Sequence, residues 1–140
     1  MARMTDFSGL DDAVKTLVRR GELMGRTAQR MVQVGADEMA KARRAEAERR
    51  GLRREGPEGG QMIKQIRPTR KIKSIGGQLT LDVYSQGKDE RGVRNATKEF
   101  MDHYGYKSRK ASHWIDSAEE KGKGPAEAAM QQVFDEDMEG

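Results

Sequence analysis

Apolar residues recur at helical spacing along most of this chain and alternate at strand spacing in one stretch only. Val14, Leu17 and Val18 follow a Ser8/Asp11 pair that reads as a shortened capping box, after a frayed segment 1–7. Gly21 and Gly25 weaken that helix, and a bend or break is expected near Gly25. From Thr27 to Arg50 the helical signal is strongest. Ala28, Val32, Gly35, Met39, Ala42 and Ala45 or Glu46 trace a narrow stripe of small residues, with charges on the other faces. The last turns carry nothing apolar larger than Ala and are expected to project beyond the core, ending at Gly51.

Gly51–Gly60, GLRREGPEGG, has the glycine, proline and charge content of a mobile surface loop. The period then changes. Leu79, Leu81 and Val83 alternate with Thr80, Asp82 and Tyr84 as a half-buried strand. Ile66 and Ile72 lie on its partner, with the hairpin turn at Ser74–Gly77. Pro68 removes a ladder donor and points to an edge or a bulge.

Val93–Ala118 holds the single Trp, both His and two of the three Tyr, so it is expected to seed the core. Phe100, Met101 and Tyr104 share one face of a helix that Gly105 can end. Ser112 can cap a second helix with Ile115 and Ala118 inward and Trp114 beside them. Hinged at Gly105, the two helices would close over a sheet. EEKGKG, residues 119–124, reads as a breaker. Pro125 would then start a last helix whose inner face is Ala129, Met130, Val133, Phe134 and Met138. Acidic residues sit poorly at a helix C-terminus, so 135–140 is expected to fray or to meet another subunit. The fold class is therefore α+β within a single domain 1–140. It combines a long N-terminal helix, an antiparallel hairpin-based sheet, and two or three short C-terminal helices packed on one face.

Composition makes that core thin. Only 34% of residues are hydrophobic and 36% are charged, with seven aromatics and nine Met in 140 residues. Met fills gaps but specifies shape weakly, so burial against neighbours would stabilise such a chain. The net charge of +4 comes from 27 basic and 23 acidic residues, a balance closer to a solvated surface than to a dedicated polyanion site. The absence of Cys removes disulfides and thiolate metal sites. No apolar run nears the roughly 20 residues of a membrane span, and the N-terminus lacks a secretory apolar region. A soluble chain made inside the cell, without membrane contact, is the expectation.

Catalytic chemistry finds little footing. His103 and His113 are ten residues apart across Gly105, not at the i, i+4 spacing of a helical metal pair, and no third ligand declares itself. Asp102 beside His103 forms no dyad, and GGQMIK lacks phosphate-loop spacing. No enzyme activity, cofactor or metal is expected. The candidate residues are those of interfaces. Arg53 and Arg54 lie in the loop, and Lys64, Arg67, Arg70, Lys71 and Lys73 form a basic arm. Tyr84 and Tyr106 flank loops, and Asp135, Glu136 and Asp137 form an acidic tail. Trp114 reads as core, with an interface anchor as the alternative. The arm could meet a neighbour's acidic tail or DNA phosphates.

Three segments carry a family resemblance: Gly60-Gln61-Met62-Ile63-Lys64-Gln65-Ile66, Phe100-Met101-Asp102-His103-Tyr104-Gly105 and His113-Trp114-Ile115-Asp116-Ser117-Ala118. Their order and spacing, from about Asp11 to Met138, resemble the tail-component family of long-tailed bacteriophages, which covers tail-completion, tail-terminator and head–tail joining proteins. In that family a Gly-x-Leu-x-x-Ser-Ile-like segment precedes a β-hairpin. A helix ending in an aromatic-Gly pair follows, then a Pro-Trp-Leu-x-x-Ala-like helix start. Gln65 stands where the family favours Ser, and His113 where it favours Pro. The resemblance implies a non-enzymatic virion protein, assembled in the host cytoplasm. It would form a homo-hexameric ring at the head-proximal end of the tail, ending the tail tube and meeting head-side neck proteins. DNA would pass through the lumen without sequence recognition. The hairpin sheet would form the ring wall, with loops 51–60 and 84–92 meeting axial neighbours. The alternatives are a head-side stopper or adaptor ring, or a basic nucleic-acid-binding module.

Overall fold

The computed structural model describes residues 8–53, 60–76, 78–106 and 110–139, with residues 8–20 and 22–24 as backbone only. The Ser8/Asp11 cap, the Val14–Val18 face, segment 1–7 and most of the 51–60 loop lie outside what is described. The architecture is α+β, as expected: a long N-terminal helix, two small antiparallel ladders and C-terminal helices packed against it.

Helix α1 spans Ser8–Arg49 without interruption, 42 residues. The break expected near Gly25 does not occur. A Cβ at Gly21 or Gly25 would meet nothing within 4 Å, so these glycines cost helix propensity without ending the helix. At its far end Gly51 adopts φ 66°. The Leu52 N–H donates to the Ala47 carbonyl at 3.0 Å and the Gly51 N–H to that of Glu48 at 3.0 Å. This is a Schellman closure, and Leu52 packs on the core as its apolar contact. The last turns do not project. Ala47 and Glu46 are fully buried, because the C-terminal helix and the hairpin root cover them.

Helix α2, Gln61–Lys64, buries Met62 and Ile63. Strand β1, Ile66–Pro68, pairs antiparallel with β4, Val83–Ser85, in the register Ile66↔Ser85. Strand β2, Lys73–Ile75, pairs with β3, Gln78–Thr80, in the register Lys73↔Thr80. The two ladders are halves of one hairpin. Between them the four residues 69–72 face only 81 and 82, so the expected irregularity falls directly after Pro68. The expected continuous strand 79–84 is broken there, and the Thr69 N–H reaches the Asp82 carbonyl at 2.9 Å.

Helix α3 is Asn95–Tyr104, ended by Gly105 at φ 86°. It turns the opposite way from expectation. Asn95, Lys98, Glu99, Asp102 and His103 are buried, whereas Phe100 is 48% and Tyr104 67% exposed. Helix α4, Trp114–Glu139, runs straight through the expected breaker and through Pro125, which lies on an exposed face. Ser112 Oγ accepts from the Trp114 N–H at 3.4 Å, close to the expected cap.

The main partner of α4 is α1 rather than the sheet. Their seam is made of small residues: Gly35, Ala36 and Ala40 on one side, Ala118, Gly122 and Ala126 on the other. A Cβ at Gly122 would sit 2.8 Å from the Ala42 Cβ and 2.8 Å from the Met39 Sδ, which explains glycine inside this helix. Below the seam, Trp114 is 0% exposed among Ala40, Ala47, Met62, Ile63, Ile66 and Ile115. Its Nε1 donates to the Glu99 carbonyl at 3.2 Å. Trp114 is therefore core.

Two glycines in one helix should respond oppositely. Gly122→Ala forces the seam apart and is expected to cost about 1–3 kcal/mol. Gly124→Ala, with open space around it, should gain up to about 1 kcal/mol of helix propensity. Urea denaturation of both variants decides; equal effects would refute the close seam. Trp114→Ala should cost about 3–5 kcal/mol in the same assay.

Candidate functional site

Where hydrocarbon runs out, this fold fills its interior with paired charge. The buried Glu46 carboxylate accepts from Arg49 Nη2 at 2.5 Å, Arg50 Nε at 2.7 Å and Lys121 Nζ at 2.6 Å. Arg49 and then Lys121 hold its carboxyl far below the usual range, with Arg50 adding to them against the opposing effect of burial. Arg50 also donates to the Ser112 carbonyl and to Ser117 Oγ, each at 3.0 Å, tying the end of α1 to the start of α4.

The inward face of α3 is anchored one partner at a time. Asp102 accepts a two-pronged contact from Arg53, at 2.9 and 3.1 Å. Lys98 meets Asp89 at 2.7 Å. Glu99 Oε1 accepts the Ser85 N–H, and its other oxygen lies 3.6 Å from Arg43. Burial pushes the Glu99 carboxyl upward, only partly offset by the Ser85 N–H and the Arg43 charge. Arg43 and Arg44 in turn donate to the carbonyls of Val83 and Ile66, each at 2.6 Å. These two arginines bolt the root of the hairpin to α1.

Sequence spacing separated His103 from His113, but the fold brings them together. Their rings stand edge-to-face at 5.2 Å, because His113 takes a left-handed φ of 53° and its N–H bonds back to the His103 carbonyl at 3.0 Å. With Asp116 they place ligand-type atoms within 4.8 Å of one another. The hydrogen bonding argues for a structural role. His103 Nδ1 accepts the Ile115 N–H at 3.2 Å, so the ring proton sits on Nε2, which faces Asp116 at 3.8 Å. A metal on Nε2 would need a proton on Nδ1, directly against that N–H. His113 and Asp116, both exposed, would remain as the ligands.

The basic arm stands away from all this. Lys64, Arg67, Arg70 and Lys71 are exposed, and Lys73 pairs with Asp82 at 2.8 Å. Arg53 is committed to Asp102, and Arg54 lies outside the described residues. Tyr84 is half-buried and Tyr106 exposed. Helix α4 continues through the acidic tail to Glu139. Asp137 accepts from Thr27 at 2.8 Å and pairs with Arg30, while Asp135 and Glu136 are exposed and bond Gln131 and Gln132. Thr27 and then Arg30 hold the Asp137 carboxyl below its usual value.

What sequence reasoning missed is the outer face of α3. Phe100 and Tyr104 stack at 6.2 Å with rings 21° apart, and Tyr104 also meets the His103 ring edge at 4.5 Å. Phe100 borders a groove of ≈ 610 Å³ whose walls include Met39, Leu81, Val83, Tyr84 and Ala96, with Arg43, Arg94 and Glu119 at polar positions. The signal was present as an aromatic pair at i, i+4, but that spacing looks the same facing in or out. No protein-family model, curated protein or solved structure matches this chain.

The charges set opposite pH dependences. Glu46 has a lowered folded pKa, so its contribution is complete above the unfolded value near 4.5 and is lost as pH falls below it. Glu99 has a raised one, so it lowers stability as pH rises from about 4.5 through its folded value. Glu46→Gln should cost about 1–3 kcal/mol at neutral pH and flatten the acid limb of Tm against pH. Glu99→Gln should gain on the wild type between about pH 4 and 7. Thermal melts across this range check both, and curves parallel to the wild type would refute the assignment.

Proposed function

We propose that this chain is a structural subunit of a homo-oligomeric ring at the head-proximal end of a phage tail, ending the tube and joining it to the head. The observation that carries this reading is the inversion of α3. Helix α3 buries Lys98, Glu99 and Asp102 while leaving Phe100 and Tyr104 in solvent as a stacked pair, the kind of apolar patch that marks an interaction surface. Beside them lies an open groove with apolar walls. In a ring built by rotation, each subunit needs two different adhesive faces, and this patch serves as one of them.

One further feature supports the same reading. The order of elements, a long helix, a hairpin, then a helix ending in Tyr104-Gly105 and another beginning at Trp114, fits the resemblance to phage tail components. Among the described residues, no helix is long and apolar enough to cross a membrane. A ring of six copies, meeting tail-tube and head-side neck proteins through its axial loops, is the assembly proposed, with DNA passing through its lumen.

The double variant Phe100→Ser/Tyr104→Ser should lose oligomer in native mass spectrometry, while its monomer Tm shifts by no more than the equivalent of about 0.5 kcal/mol. Tailed particles from the host should contain the chain in multiple copies at the head–tail joint, seen by mass spectrometry and cryo-EM. Its absence from particles with joined heads and tails would overturn the proposal.

A further inference from the structure

We infer that the hairpin arm is a contact for the phosphate backbone of nucleic acid, duplex DNA above all, made without reading bases. The charge distribution carries this. Five of the 27 basic residues and none of the 23 acidic ones lie between Gly60 and Leu81, so the remainder of the chain is one charge negative. The whole formal positive excess of the molecule therefore falls within one segment, the end of α2 and the hairpin that follows it.

The rest of the protein pairs its buried charge internally. Glu46 gathers three cations, Arg53 holds Asp102, Lys98 holds Asp89, and Arg43 faces Glu99 and Glu119. Among the described residues, Lys73 is the one cation of the arm with an ion-pair partner, Asp82. Lys64, Arg67, Arg70 and Lys71 are exposed and make no ion pair among the described residues. Their root is held rigid by the Arg43 and Arg44 clamps on Val83 and Ile66. Lys64 ends α2, Arg67 lies on β1, and Arg70 and Lys71 fall in the irregular stretch before β2, so the four cations are spread along the arm and can meet several phosphates of one backbone.

An acidic surface on a second copy is the competing partner. The candidate is the α4 tail, but Asp137 is already held by Thr27 and Arg30, and Glu136 lies 3.8 Å from Arg30. Free phosphates match the arm better than a tail already partly neutralised. No aromatic lies between Lys64 and Lys73 to stack on a base, so the contact is to the backbone and indifferent to sequence. That the arm points into a ring lumen rests on the function proposed above; the phosphate contact itself does not.

The test uses the full chain and labelled ~25-bp duplexes of two unrelated sequences, read by fluorescence anisotropy from about 50 to 300 mM salt. Four phosphate contacts give an expected slope of log K against log salt of about −3 to −4, equal for both sequences. The variant Lys64→Gln/Arg67→Gln/Arg70→Gln/Lys71→Gln should keep its Tm and its native-mass oligomer. It should lose roughly tenfold or more in affinity, with a slope near zero. No saturable binding at the lowest salt, or an unchanged slope in the variant, would overturn the inference. So would labelled poly-glutamate binding the arm as tightly as DNA, or a variant that loses its oligomer but keeps DNA binding. A wild type that binds as expected yet never oligomerises would support the arm and refute the ring.

Discussion

The close approach of α4 to α1 is the contact on which the remaining structure depends. Glycine and alanine line both sides, and Gly122 leaves no room for a Cβ between Met39 and Ala42. Small residues bring backbones near but bury little hydrocarbon each. The large apolar groups gather instead at one end, where Trp114, Met62, Ile63 and Ile66 close the joint between the helices and the hairpin. Outside the seam and that cluster, α3 and the root of the hairpin are positioned by ion pairs and hydrogen bonds.

That division explains which residues stay inside. A buried carboxylate is tolerated only with partners, and Glu46, Glu99 and Asp102 each have an arginine beside them. The arginines serve twice, since Arg43 and Arg50 also satisfy backbone carbonyls of neighbouring segments. Because the inner side of α3 is occupied by these pairs, its aromatics face outward. Because the rest of the chain is close to neutral, the arm is left with the positive excess. The two features proposed for assembly and for phosphate contact thus have one physical origin, an interior short of hydrocarbon.

Much of the fold was legible from periodicity and capping chemistry. The strong helix ending at Gly51, a hairpin turn between Ile75 and Gln78, shorter than the expected 74–77 because Ser74 and Ile75 pair on β2, the irregularity after Pro68 and the inward Ile115 and Ala118 all follow local rules. The errors fall where distant partners decide. Gly122 carries the same local signal as a helix breaker, and only the surface of α1 opposite reveals it as a close-packing position. Phe100 and Tyr104 have the spacing of a core stripe. Which side of α3 is buried was settled by Arg53, Asp89 and Arg43, each far away or on another element. Of the candidate interface residues, Arg53, Trp114 and Asp137 prove committed within the chain, whereas Lys64, Arg67, Arg70 and Lys71 remain at the surface. The meeting of His103 and His113 depends on a left-handed His113 that no spacing rule anticipates.

The central claim is that these outward aromatics are completed by copies of the same chain. Sedimentation velocity of the purified wild-type protein over a hundredfold range of concentration addresses it directly. A discrete closed species near six copies, in exchange with monomer and without larger aggregates, is the result the account requires. A single monomeric boundary at every concentration, with Phe100 and Tyr104 still open to solvent, would contradict it.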